Sequence, residues 1–146
     1  MGYQFPLATV LRVRGIVEDR EERMLQRILH EISQTLKAID QIDVELANTN
    51  SSRTAQVFKA STGMFIHASY GQIEQLKKNR QELEEKVEKL KELRDTQLEV
   101  YRAAHRDREM LTDMQEKKRG LYETDLAKRE QSTLDDNYIA RRGRIQ

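Results

Sequence analysis

Cysteine and tryptophan are absent from this 146-residue chain, and its one proline, Pro6, stands near the start. Without cysteine there is no disulfide framework, no thiolate nucleophile and no thiolate metal ligand. Aromatic residues make up 5% and hydrophobic residues 37%, too little for the thick core of a compact globule of this length. No stretch approaches the roughly 18 consecutive apolar residues that would span a bilayer. The opening segment is not patterned as a secretory signal, because Arg12 and Arg14 interrupt its apolar run and no small-residue cleavage site follows. An excess of one charge sign is missing too. Lys and Arg number 26 against 25 Asp and Glu, whereas disordered chains usually carry a large net charge. With charged residues at 35% and the signs interleaved, the class that remains is a long charged helix or coiled coil, whose core is a narrow seam. A soluble cytosolic protein is expected.

What is present is helical periodicity. Pro6 reads as a helix start, since the first turn has no use for its missing N–H. From Leu25 the positions Leu25, Ile28, Ile32, Thr35, Ile39, Ile42 and Leu46 repeat three-four-three-four without a slip. That is a heptad seam, and it requires a partner helix. Before Leu25 two stripes compete: Val10, Val13, Val17 and Met24, or Leu7, Leu11 and Leu25. Gly15 lies between them and suggests a phase shift or bend, because glycine costs a helix interior about 1 kcal/mol relative to alanine. After Leu46 comes Asn48-Thr49-Asn50-Ser51-Ser52-Arg53-Thr54, then Ser61-Thr62-Gly63. Asn, Ser and Thr compete with the backbone for hydrogen bonds and favour turns, so a reversal is expected between Asn48 and Gly63.

The seam resumes with Ile66, Ile73, Leu76, Leu83, Val87 and Leu90, and Arg80 occupies one of its positions. Beyond Leu90 it is expected to degrade through Leu93, Leu98, Tyr101, Ala104, Leu111, Met114, Leu121 and Leu126. The expected fold is all-α: a long two-helix antiparallel coiled-coil hairpin with a longer second helix overhanging at the C-terminus. It forms a single coiled-coil domain over residues 1–146, with helix one over about 6–47, a loop region over about 48–63, helix two over about 64–136 and a basic tail over 137–146. At 1.5 Å per residue the helices are roughly 60 Å and 110 Å long. Helix one then pairs only with residues up to about Ala104 to Leu111. An overhanging single helix has few contacts of its own. Its apolar and aromatic positions (Leu111, Met114, Leu121, Tyr122 and Leu126) call for another chain.

Catalytic readings find no support. His30, His67 and His105 are dispersed, and His30-Glu31 is followed by Ile32-Ser33-Gln34 with no second histidine. There is no Glu-x-x-His pair and no phosphate-cradling glycine motif. Carboxylate pairs such as Glu84-Glu85 and Asp135-Asp136 fit solvated helix faces. The expectation is a protein that is not an enzyme, with no catalytic residue, cofactor, metal or small-molecule substrate. The tail after Tyr138 carries Arg141, Arg142 and Arg144 without an acid. Three arginines without interleaved aromatics are a poor nucleic-acid site, so no nucleic-acid partner is expected. A tail that complements the negative end of the helix dipole or contacts protein is favoured. Phe58, Phe65 and Tyr70 lie near the reversal, either as a docking cluster or packed to close the hairpin.

Two ends of the chain resemble one family. Phe5-Pro6-Leu7-Ala8-Thr9-Val10-Leu11-Arg12-Val13-Arg14 is similar to the start of FliJ-like proteins of bacterial flagellar export. Arg108-Glu109-Met110-Leu111, Glu116-Lys117-Lys118-Arg119 with Tyr122, Lys128-Arg129-Glu130-Gln131, Leu134-Asp135-Asp136 and Arg141-Arg142 look like that family's C-terminal helix. The resemblance implies a cytosolic two-helix antiparallel coiled coil, similar to the central stalk subunit of rotary ATPases, serving the type III export apparatus. It implies three partners: the hexameric FliI-like export ATPase, the cytoplasmic domain of the FlhA-like export gate, and export chaperones. The chain would be peripheral to the membrane through these partners only. Candidates for ATPase contact are then Phe5, Leu7, Leu11, Leu111, Lys118, Arg119, Tyr122, Arg141 and Arg142. Candidates for gate contact are Phe58, Phe65 and Tyr70. Two alternatives stay open: a generic coiled-coil tether, and a stalk protein of a virulence type III secretion system.

Overall fold

A computed structural model describes residues 2–58 and 63–145, with side chains described outside 56–58 and 145. Two helices account for nearly all of it: α1, Ala8–Phe58, and α2, Gly63–Ile145. They pack against each other, α2 is the longer, and no strand occurs among the described residues. The chain divides into two compact units, each built from one stretch of each helix. Unit 1 takes Met1–Arg20 with Arg102–Gln146, and unit 2 takes Glu21–Tyr101.

In unit 2 the pairing is antiparallel, since partners fall on α1 as they rise on α2. Arg53 meets Tyr70, Asp43 meets Arg80 and Glu21 meets Gln97. Leu25, Ile32 and Ile39 of α1 and Ile73, Val87 and Leu90 of α2 are buried. Each aliphatic side chain removed from water contributes about 1.5–3 kcal/mol. Thr35 and Ser69 are buried in the same seam. Their hydroxyls donate to the carbonyls of Glu31 and Phe65 one turn back, at 2.8 and 3.1 Å, so neither is left unpaired. In unit 1 the pairing is also antiparallel: Glu18 meets His105 and Arg108, Phe5 meets Lys118, and Tyr3 meets Tyr122.

Five expectations change. The polar stretch from Asn48 to Thr54 is helix, since α1 continues to Phe58; within the range expected for the reversal, residues 59–62 lie outside the described residues. Turn propensities amount to tenths of a kcal/mol per residue. Against them, the inward positions continue through Leu46, Thr49 and Arg53, and the Thr54 hydroxyl bonds the Asn50 carbonyl at 2.9 Å. Gly15 marks no break, because α1 runs through it. The second stripe prevails, with Leu7, Leu11 and Leu25 inward, while of the first Val10, Val13 and Met24 are exposed and Val17 is half-buried.

The seam of α2 also outlasts Leu90. Arg94, Gln97, Tyr101, Ala104, Arg108, Leu111, Gln115 and Tyr122 keep the three-four rhythm, and all are buried or half-buried. With a longer α1 and the segment before it, pairing reaches Tyr122 rather than stopping near Leu111. The expected tail from residue 137 is part of α2, which continues to Ile145. Arg142 and Arg144 occupy its last turn, where cations suit the helix dipole.

Candidate partner-binding site

Unit 1 holds most of the residues expected to meet another protein, and its local structure starts at Pro6. The ring fixes φ for a turn in which the Ala8 N–H donates to the Phe5 carbonyl at 3.1 Å, and the Leu11 N–H donates to Leu7 at 2.8 Å. That turn folds the segment before α1 onto α2. Phe5 becomes buried, 7% exposed, with the Lys118 ammonium 6.0 Å from its ring centroid. Tyr3 stacks at a tilt on Tyr122, ring centroids 5.4 Å apart. The Tyr3 hydroxyl is buried and has no hydrogen-bond partner among the described residues.

Further along unit 1 the seam is polar. Glu18 occupies an inward position of α1, its side chain only 12% exposed. It accepts hydrogen bonds from the Arg108 guanidinium and lies 3.0 Å from His105 Nδ1. The Arg108 hydrogen bonds hold the Glu18 carboxyl below its ordinary value, assisted by His105 and opposed by burial. Arg14 lies 3.5 Å from Asp107 on the adjoining flank. This arrangement sets register and orientation. Among the described residues no group of three or more His, Cys, Asp or Glu could hold a metal.

Past Tyr122 the character of α2 changes. Every described residue from 123 to 144 is exposed, including Leu126, Leu134, Tyr138 and Ile139 at 42 to 66%. Within unit 1 this is helix without a second helix against it.

The ATPase-contact candidates therefore separate into two sets. Phe5 is buried, and Leu7, Leu11, Leu111 and Tyr122 are half-buried, so these hold the N-terminal segment and α1 to α2. Lys118, Arg119, Arg141 and Arg142 are exposed and available to a partner. Of the gate-contact candidates, Phe65 and Tyr70 in unit 2 are about half exposed, and the Arg53 guanidinium stands 4.3 Å from the Tyr70 ring centroid. Phe58 ends α1, and its side chain lies outside the described residues.

Sequence reasoning missed Glu18, His105 and Arg108 as an interlocked set, and Tyr3 as the partner of Tyr122. The signal was available: counting the three-four rhythm through polar residues places Glu18 and Arg108 inward.

No described helix is long and apolar enough to cross a membrane. The family model described as flagellar FliJ protein matches residues 3–144. No curated protein and no solved structure matches the chain.

Proposed function

The chain belongs to the flagellar FliJ protein family and is a flagellar export-related protein, and from that premise we propose that it is a non-enzymatic stalk of the type III export apparatus. Its work is mechanical. Unit 1 docks in the FliI-like ATPase hexamer through the stretch of α2 past Tyr122. Phe65 and Tyr70 of unit 2 meet the cytoplasmic domain of the FlhA-like export gate. Export chaperones are a third class of partner. The protein acts in the cytoplasm, held at the membrane-associated apparatus through these partners.

The observation that carries the reading is the bare stretch of α2. Residues 123–144 form an exposed helix with Leu126, Leu134, Tyr138 and Ile139 turned to solvent and Arg141 and Arg142 near its end. An isolated helix of that size is marginal in water. Binding inside a ring supplies the missing contacts. The paired helices within each unit resist twisting, and that stiffness is the proposed means of coupling the ATPase to the gate. Coupling by stiffness requires no chemistry from this chain.

The experiment is ATPase stimulation with purified components. The full chain is expected to raise the turnover of the hexameric ATPase and to bind the gate domain. Arg141→Glu with Arg142→Glu lowers stimulation and leaves gate binding intact. Phe65→Ala with Tyr70→Ala does the reverse. A chain that neither stimulates the ATPase nor binds the gate domain refutes the stalk reading.

A further inference from the structure

Unit 1 carries an apolar strip that its own seam does not use. In α1 it consists of Val10 and Val13, exposed by 43% and 49%. In α2 it runs through Ala103, Asp107, Met110, Met114, Lys117 and Leu121, with Met110 63%, Met114 36% and Leu121 66% exposed. Val10 immediately precedes the inward Leu11, as Met114 precedes Gln115 and Leu121 precedes Tyr122. In an antiparallel pair the same flank position on each helix lies on the same side of the seam. Val10 falls between Phe5 and Arg14, whose partners are Lys118 and Asp107. It is therefore level with the stretch of α2 that carries Met110 and Met114, and the two helices build one face.

The α2 part of this face repeats at four-three-four-three-four, which is a second heptad seam. It also reads the same in both directions about the level of Thr112. Turned end for end, Met110 falls on Met114, Asp107 on Lys117 and Ala103 on Leu121. An opposite-charge pair, a pair of adaptable thioethers and a large-on-small pair thus coincide in one register. Such self-complementarity is what a two-fold interface requires, each pair occurring twice. Asp107 is free to take a second cation: its side chain is 52% exposed, and a carboxylate with Arg14 at 3.5 Å retains lone pairs.

We propose that this face docks a second copy of the chain. The two α2 helices run antiparallel across a two-fold axis at the level of Thr112, and Val10 and Val13 of each copy close the rim.

The full chain in sedimentation equilibrium tests this. Association to dimers is expected by about 50 µM. Met110→Glu with Met114→Glu weakens it about a hundredfold or more, with helicity unchanged by circular dichroism. Lys117→Asp, which sets carboxylate against carboxylate twice, weakens it about tenfold. Because the protein has no cysteine, a second measurement is clean. Ala103→Cys and Leu121→Cys chains, mixed and oxidised, form a disulfide between copies, whereas Ala103→Cys alone does not. A chain that remains monomeric at that concentration overturns the proposal. So does a double-Glu variant that dimerises as the parent does. A monomeric chain whose double-Glu variant loses the ATPase, the gate domain or a chaperone assigns the face to that partner and rejects the second copy.

Discussion

The two units use one heptad rhythm for different ends. In unit 2 most inward positions are aliphatic, with Leu25, Ile32, Ile39, Ile73, Val87 and Leu90 buried, the small Thr35 and Ser69 bonded to their own helices, and one buried polar pair, Glu21 with Gln97. In unit 1 the inward positions include Glu18, Arg108 and Gln115, and α2 then runs on bare past Tyr122. Aliphatic burial is strong and indifferent to register. Paired charges in a seam contribute less net stability, since desolvation offsets much of the attraction, yet a broken pair is costly. Aliphatic positions supply strength in unit 2, and polar inward pairs supply specificity in both units, Glu21 with Gln97 in unit 2 and Glu18 with Arg108 in unit 1. The unpaired stretch of α2 lies in unit 1, as expected of a part completed by a partner.

Four changes probe that contrast, in descending order of effect. Ile73→Ala, at one of the most buried positions, is expected to cost about 2–4 kcal/mol in urea unfolding followed by circular dichroism. Glu18→Gln is expected to cost about 1–2 kcal/mol near neutral pH, because it leaves Arg108 half-buried against an uncharged partner. The folded-state carboxyl of Glu18 lies below the ordinary value of 4.5, so its stabilisation is fully present above that value. It disappears as pH falls through the lowered value, and parent and variant should converge in acid melts. Tyr122→Ala removes the platform for Tyr3 and is expected to cost about 1 kcal/mol, with faster proteolysis of the segment before Ala8. Leu134→Ala with Tyr138→Ala should change stability by no more than about 0.5 kcal/mol, since both are exposed, while reducing ATPase stimulation.

Much of this was legible in the sequence. The seam from Leu25 to Leu46 and from Ile66 to Leu90 appears in the structure as read, because aliphatic residues announce an inward face. The Asn48–Thr54 stretch was misread because local turn preference is weaker than a seam that continues through Thr49 and Arg53. The stretch after Leu90 was misread for the opposite reason. Arg94, Gln97, Arg108 and Gln115 are inward yet polar, so a search for apolar residues passes over them. The exposed basic candidates were readable from charge alone. Phe5, Leu7, Leu11, Leu111 and Tyr122 were readable as important, but their role is to hold unit 1 together, and that depends on which residue each one faces.

The most direct measurement is hydrogen–deuterium exchange along α2, with and without the export ATPase. In the free chain, amides from 123 to 144 should exchange orders of magnitude faster than those around Ile73, Val87 and Leu90, and saturating ATPase should protect them. Protection of residues 123–144 in the monomeric free chain, or continued fast exchange there while the ATPase is bound, would contradict the account.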